Sequence, residues 1–201
     1  MENLIPVLLG GSWASGVNLY LTAAGLGVAQ KMGWLSLPGE LTILGNPLVI
    51  LLAVLMYVVP FFADKIPFFD SVWDMIHTFI RPTGGALMGY LATAQAEPVV
   101  QGAVTLLAGG IALSSHLTKA TTRAAINSAP TGVGNSVASV TEDTVVFGVL
   151  YFIVKHPIIA SLIAIALIAL TFWLLKKFFR FLKRLFHPVR KEEVVPQASQ
   201  A

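Results

Sequence analysis

The chain has no cysteine and few charged residues, and each shortage excludes a class of protein. Without cysteine among its 201 residues it forms no disulfide and no thiolate metal site, although this does not identify a compartment. Charged residues make up only 11% of the chain, whereas an ordinary soluble domain carries about 25%. A soluble fold of this length has too small an interior to bury the apolar surface that the uncharged residues carry.

Apolar residues are what the chain has in excess. They make up 56% of the sequence, and the mean hydropathy is +0.78. The hydrocarbon core of a bilayer accepts such surface, and helices satisfy their own backbone hydrogen bonds there. The composition therefore predicts an all-α integral membrane protein.

The net charge of +3 is unevenly distributed along the chain. Seven of the thirteen Lys and Arg residues lie in 176–191, so the part before this segment is slightly acidic. The basic character therefore belongs to the tail, and binding to nucleic acid is not implied. The N-terminus lacks the basic region of a signal peptide, so we expect the first apolar segment to be retained.

Apolar segments separated by turns containing proline or glycine predict about six transmembrane helices. We expect them at about 4–30, 47–62, 70–94, 99–126, 136–154 and 158–175, the fifth with Ser139, Glu142 and Asp143 in its first turns. Five spans plus a re-entrant segment around 83–97 are an alternative. The predicted organisation is a transmembrane domain at 1–175, a basic amphipathic interfacial helix at 176–187, and a disordered tail at 188–201.

The interfacial helix is predicted to bind anionic lipid headgroups. Its basic residues project on one side, opposite phenylalanines and leucines; they are Lys176, Lys177, Arg180, Lys183 and Arg184. Each contributes about 1 kcal/mol near an anionic surface. The positive-inside rule places this end in the cytoplasm, and with six spans the N-terminus lies there as well.

The two halves of the chain are weakly alike. The run 8–11 is similar to 107–110, and 15–22 is similar to 114–121. Three spans per half predict two inverted three-helix repeats, as in many secondary transporters. Glycines in the first segment either allow close helix packing or break the helix to line a cavity, and the sequence leaves both interpretations open.

Two polar stripes run along otherwise apolar helices. Four residues at i, i+4, i+7 and i+11 share one face of the third segment, and four at i, i+3, i+7 and i+11 share one face of the fourth. The first stripe is Asp70, Asp74, His77 and Arg81, and the second is His116, Lys119, Arg123 and Asn127. A charge at the bilayer centre costs at least about 2.5–3.5 kcal/mol. Such groups therefore pair, face a cavity, or stay near the interface.

These stripes predict a polar cavity between segments three, four and five. Asp64, Glu142 and Asp143 would complete its lining. Such a cavity suits transport of a small ion or polar solute, with His77 or His116 able to titrate near neutral pH. The alternative without a cavity is that the charges are interfacial and neutralise one another. The sign of the transported charge is not determined.

A membrane-embedded enzyme or flippase acting on lipid headgroups is a second functional hypothesis. Asp74-x-x-His77 has a metal-ligand spacing, which Asp70, Asp64 or Glu142 could complete with oxygen ligands. Against catalysis, the sequence has no HExxH, no GxSxG and no phosphate-binding loop, and a lone D-x-x-H is a weak signal. The sequence does not identify a cofactor. A third hypothesis is a non-catalytic scaffold, whose small-residue faces would suit a homo-oligomer.

The chain resembles a family of small multi-pass membrane proteins, found mainly in bacteria and also in plants, that is catalogued as a domain of unknown function. The resemblance extends to about residue 175. It depends on Asp64-Lys65-Ile66-Pro67, Asp70-Ser71-Val72-Trp73-Asp74, Ile80-Arg81-Pro82, Gly16-Val17-Asn18-Leu19-Tyr20 and the polar residues from His116 to Asp143. It implies a multi-pass membrane fold but no activity. A bacterial inner membrane is the expected location.

Overall fold

The computed structural model describes residues 3–63, 69–127 and 133–186, and these residues form helices without any strand. Six long helices follow one another along the chain. They are α1 (Leu4–Lys31), α2 (Pro47–Ala63), α3 (Phe69–Ala92), α4 (Pro98–Asn127), α5 (Val133–Lys155) and α6 (Pro157–Phe186), with a short 3₁₀ helix at Gly39–Gly45 between α1 and α2.

Helix α1 lies at the centre of the fold. In its most apolar window 67% of the residues are buried, compared with 22–28% in α4, α5 and α6. The outer helices expose large apolar side chains such as Leu106, Phe147 and Leu162. Because lipid tails solvate such side chains as well as a protein core does, they need no protein cover. In the interior, small and polar residues lie beside large apolar ones such as Leu26 and Ile153.

A break interrupts α1 at Asn18. The backbone of this residue is extended (φ −148°, ψ 93°), and the helix resumes directly after it. The Asn18 Oδ1 accepts a hydrogen bond from the Leu21 amide at 3.1 Å, as an N-cap residue does. The Thr22 hydroxyl donates to the Asn18 carbonyl at 2.8 Å. Side chains thus satisfy backbone groups that the break releases.

The helices around this break pack closely because small residues face each other. A Cβ built on Gly16 of α1 would overlap the Ser115 Oγ and the Ala112 carbonyl of α4. Gly85 of α3 packs in the same way against Ala112. The sequence allowed two roles for the region of the α1 glycines, close packing and a helix break. The structure has both, the close packing at Gly16 and the break at Asn18.

The helices identify a multi-pass membrane protein. Four of those described (α1, α4, α5 and most of α6) are long and apolar enough to cross a bilayer, and a fifth span is obtained if Gly39–Gly45 and Pro47–Val59, which meet at 71°, form one bent span. Helix α3 continues through Pro82 to Ala92, so the one bent helix pair in the described residues lies at 39–59 and not around 83–97.

Two expected boundaries differ from the structure. Helix α5 begins at Val133, so the prediction that Ser139, Glu142 and Asp143 occupy its first turns is wrong. The small residues of 133–136 extend the helix, which carries the two carboxylates into its third turn. Helix α6 runs without interruption from Pro157 to Phe186, so the basic segment continues the last apolar helix. Residues 187–201 lie outside the described part of the chain.

Candidate functional site

Buried ionisable side chains from three helices lie beside the break in α1. Asp74 and Arg81 come from α3, His116, Lys119 and Arg123 from α4, and Glu142 and Asp143 from α5. All but the two carboxylates of α5 are buried. Apart from Asp143, they form two groups. We call these the Arg81 cluster (Asp74, Arg81 and His116, with Thr78) and the Glu142 cluster (Lys119, Arg123 and Glu142).

The Arg81 cluster joins α3 to α4 and to the break. The Arg81 Nη1 lies 3.4 Å from the Asp74 Oδ1, 3.4 Å from the Gly16 carbonyl oxygen and 3.1 Å from the His116 Nδ1. On its other side, the His116 Nε2 lies 3.0 Å from the Thr78 Oγ1. Helix α1 supplies a carbonyl here because Gly16 lies just before the break. One guanidinium therefore bridges three helices.

His77 lies on the same face of α3 as Arg81 and contacts α1. Its Nδ1 is 2.9 Å from the Trp73 carbonyl and its Nε2 is 3.3 Å from the Tyr20 hydroxyl. The Tyr20 ring meets the imidazole edge-on at 5.7 Å. Both ring nitrogens are therefore engaged with protein groups.

The Glu142 cluster joins α4 to α5 through a two-point ion pair. The Arg123 Nε and Nη2 donate to the two carboxylate oxygens of Glu142 at 3.2 and 2.7 Å. The Lys119 Nζ lies 3.4 Å from the same carboxylate. The Arg123 side chain is 1% exposed and that of Lys119 3%. A fork-to-fork pair of this kind fixes the relative rotation of the two helices.

Asp143 connects the break itself to α5 and α2. The Asn18 amide donates to its Oδ1 at 3.0 Å, and the Tyr57 hydroxyl donates to its Oδ2 at 2.8 Å. Asn18 thereby uses its oxygen to cap the second half of α1 and its nitrogen to hold a carboxylate. The broken helix and the charged residues of α5 form one structural unit.

A cleft of about 250 Å³ adjoins the Glu142 cluster. Lys119, Glu142 and Ser115 lie along it, together with Trp13, Leu167 and Leu170. It therefore combines a charged end with an apolar wall that α1 and α6 supply.

The predicted site residues fall into three groups. Asp74, His77, Arg81, His116, Lys119, Arg123, Glu142 and Asp143 are brought together around α1. Asp70 lies in the first turn of α3 and Asn127 at the end of α4, but the described contacts do not include their side chains. Asp64 lies outside the described residues.

In the part of the chain that is described, no three His, Asp or Glu side chains are grouped to hold a metal ion, including around the candidates Asp74 and His77.

The basic residues of the predicted interfacial helix lie on the last three turns of α6. Lys176, Lys177, Arg180 and Lys183 are exposed there. Arg184 belongs to the same helix, and its side chain is not among those described. The Lys177 Nζ lies 5.2 Å from the centre of the Trp173 ring, which is a cation–π distance.

Four uncharged polar residues contribute to the site but were not among the predicted residues. Asn18 forms the break, Tyr20 and Tyr57 hold ionisable partners, and Thr78 contacts His116. A usable signal was the run of polar side chains in the middle of the first apolar segment. A neutral amide or hydroxyl attracts less attention than a charge, although it too requires a partner in a bilayer.

These features define a class: an all-α, multi-pass membrane protein whose ionisable side chains meet around a broken central helix. The family model described as Domain of unknown function (DUF4126) matches residues 5–177, and the chain belongs to this family. Neither the curated proteins nor the solved structures contain a match to the chain.

Proposed function

We propose that the protein is a transporter or channel for a small ion or polar solute, with its binding site where the two clusters meet the break in α1. The observation that carries this proposal is the placement of Asn18. An extended residue in the most buried helix caps one half-helix and holds Asp143. Broken helices are the usual way in which transporters expose backbone groups to a solute at membrane depth.

The energetics of burial support a functional role for the clusters. Replacing a buried ion pair by apolar residues of similar volume is often neutral or stabilising by about 1–4 kcal/mol. The fold therefore does not require charges such as Arg81 and Arg123 for stability alone. Charged residues inside a membrane domain typically mark the pathway of an ion or solute.

The proposal is tested by osmotic swelling of proteoliposomes. Vesicles containing the protein are challenged with potassium chloride, choline chloride, sodium gluconate or glycerol, and volume recovery is followed by light scattering. We expect faster recovery than in empty vesicles for at least one solute, and loss of that gain in Arg81→Gln and Asp74→Asn. Thr144→Ala, an exposed position on α5, is the matched control. Equal recovery in protein-containing and empty vesicles for every solute contradicts transport.

A second candidate function is the handling of lipid headgroups, as an enzyme or a flippase. It is favoured by the 250 Å³ cleft, where Lys119 and Glu142 lie beside Leu167 and Leu170. A headgroup phosphate would contact the lysine while acyl chains follow the apolar wall. Dithionite quenching of fluorescent phospholipids in the same vesicles distinguishes this function, because lipid flipping exposes the inner-leaflet probe and solute transport does not.

We further propose six spans, with both termini in the cytoplasm of a bacterial cell and the chain in its inner membrane. Six long helices and the basic end of α6 support this arrangement. At about 1.5 Å per residue, the 30 residues of α6 exceed the thickness of the hydrocarbon core, so its basic turns would reach the headgroups. The headgroup contact is tested with the isolated segment 170–187. We expect this peptide to bind more tightly to vesicles that contain anionic lipid than to vesicles that lack it.

A further inference from the structure

The guanidinium of Arg81 is buried with part of its hydrogen-bonding capacity unused. Its side chain is 2% exposed, and among the described residues its Nε has no acceptor. Its Nη1 is shared among three acceptors at 3.1–3.4 Å, at or beyond the long end of the range for such hydrogen bonds. A buried donor without a partner costs about 1–3 kcal/mol. An anion that accepted from Nε and Nη together would satisfy it.

The directions of the hydrogen bonds define the state of His116. Arginine only donates, so the His116 Nδ1 accepts from Arg81 and carries no proton. The Thr78 hydroxyl donates its own proton to the Asp74 carbonyl at 2.9 Å, so its oxygen accepts from a protonated Nε2 of His116. The imidazole is therefore neutral, and Arg81 occupies the lone pair to which a second proton would bind.

We infer that this site binds a small anion together with one proton: the anion on Arg81 and the proton on the Nδ1 of His116. An anion held by Nε and Nη of Arg81 draws Nη1 away from His116, which leaves the Nδ1 lone pair open to a proton. This inference rests on the proposed transport function and specifies its substrate class. Binding one negative and one positive charge leaves the net charge of a buried site unchanged, which avoids a large cost in low dielectric.

The groups around His116 are compatible with this exchange. Those that face it or its partners are Asp74, His77 and Arg81 from α3, Tyr20 from α1, Lys119 from α4 and Glu142 from α5. Lys119 pairs with Glu142 and Asp74 with Arg81, so these charges are balanced by neighbouring protein groups. The nitrogens of His77 contact the Trp73 carbonyl and Tyr20, neither of which the anion displaces. The Nδ1 of His116 contacts Arg81, so it is the nitrogen that the inference assigns to the proton.

A cleft lies beside the part of α4 that carries His116. The 250 Å³ cleft is lined by Ser115 and Lys119, which are the preceding residue and the residue one turn later. An anion entering there would meet Lys119, and the inference requires it to pass from Lys119 to the Arg81 cluster.

Titration calorimetry on the purified full chain tests the inference. The probes are the sodium salts of chloride, nitrate and formate. These monovalent anions do not titrate between about pH 5.5 and pH 8, the range in which a histidine does. Measurement in two buffers of different ionisation enthalpy gives the protons taken up. For the wild type we expect one proton per anion, so that Kd rises about tenfold per pH unit.

Arg81→Gln should abolish binding. His116→Gln should bind with a Kd that does not depend on pH. His156→Gln, at an exposed histidine, should match the wild type.

The possible failures are distinguishable. Binding without proton uptake in the wild type, or proton uptake that survives in His116→Gln, overturns the inference. So does the absence of binding for all three anions, even when the vesicles still pass another solute and the transport proposal stands. If Arg81→Gln does not fold, Arg81→Lys retains the charge without the fork and should weaken binding at least tenfold; unchanged affinity in that variant also overturns the inference.

Discussion

The first and last helices are both long and apolar, yet they have opposite places in the fold. Helix α6 is by far the more hydrophobic, and only 22% of its most apolar window is buried; α1 is less hydrophobic, and 67% of its window is buried. In water the order would be reversed. Here lipid solvates the aliphatic helix, whereas the polar and small residues of α1 find partners only inside the protein. Between these two helices, the more polar one has the interior position.

The largest test of this comparison is removal of the carboxylate that Arg123 and Lys119 share. Glu142→Gln leaves two buried cations beside a neutral amide, so we expect a loss of about 3–5 kcal/mol in the free energy of unfolding. Lys183→Gln, at an exposed position on α6, should change stability little. Titration with sodium dodecyl sulfate in mixed micelles measures both. If Glu142→Gln and Lys183→Gln lower the free energy of unfolding equally, the charges around α1 are not more buried than those on α6.

The next effect comes from side-chain volume. Gly16→Ala places a methyl group against the Ser115 Oγ and the Ala112 carbonyl, so α1 and α4 must separate, at a cost of about 1–3 kcal/mol. Ala166→Leu adds more volume to α6 at an exposed position and should be tolerated. Thermal unfolding followed by tryptophan fluorescence gives the two midpoints. If Ala166→Leu lowers the unfolding midpoint more than Gly16→Ala does, then α6 and not α1 is the tightly packed helix.

A smaller effect is expected at the break. Asn18→Ala removes the cap on the Leu21 amide and the hydrogen bond to Asp143, and loss of a cap costs about 0.5–2 kcal/mol. Ser161→Ala on α6 removes only a hydroxyl that donates to a carbonyl of its own helix. The same unfolding assay compares them. An Asn18→Ala variant as stable as Ser161→Ala would mean that the break does not depend on its side chain.

The smallest effect should come from the lipid-facing surface of α6. Leu162 is 63% exposed, so Leu162→Ala should shift stability by no more than about 0.5 kcal/mol. A loss of about 2 kcal/mol or more, the value for a buried leucine, would show that a second copy of the chain covers this face. Dilution of the detergent-solubilised protein, with mass measured by light scattering, would then show a homo-oligomer dissociating.

The sequence predicted the helical elements well because apolar runs and proline-containing turns are local signals. The start of α4 at Pro98 and the end of α3 near Ala92 follow from the Glu97-Pro98 turn. It failed at the start of α5, where the small residues of 133–136 carry no strong signal for either helix or loop. The two polar stripes were identified from spacing alone, and the structure brings most of their members together.

What the sequence could not predict is the partner of each charge. Arg81 and Asp74 are seven residues apart on one helix, so their pairing is nearly local, whereas His116, Glu142 and Asp143 meet their partners across helix interfaces. Those pairings depend on how far each helix is rotated about its axis. Packing of Gly16 and Gly85 against Ala112 constrains that rotation for α1, α3 and α4, and no single segment contains these contacts.

The amino-acid sequence by itself determined that this is a helical membrane protein with charged stripes on two of its helices, because composition and period are properties of each segment. Only the tertiary structure decided that α1, the least apolar of the four helices that are apolar enough to cross a bilayer, lies at the centre and breaks at Asn18. The Asn18 amide nitrogen at this break has its acceptor on another helix, the Asp143 carboxylate at 3.0 Å, and that contact exists only once the helices have packed.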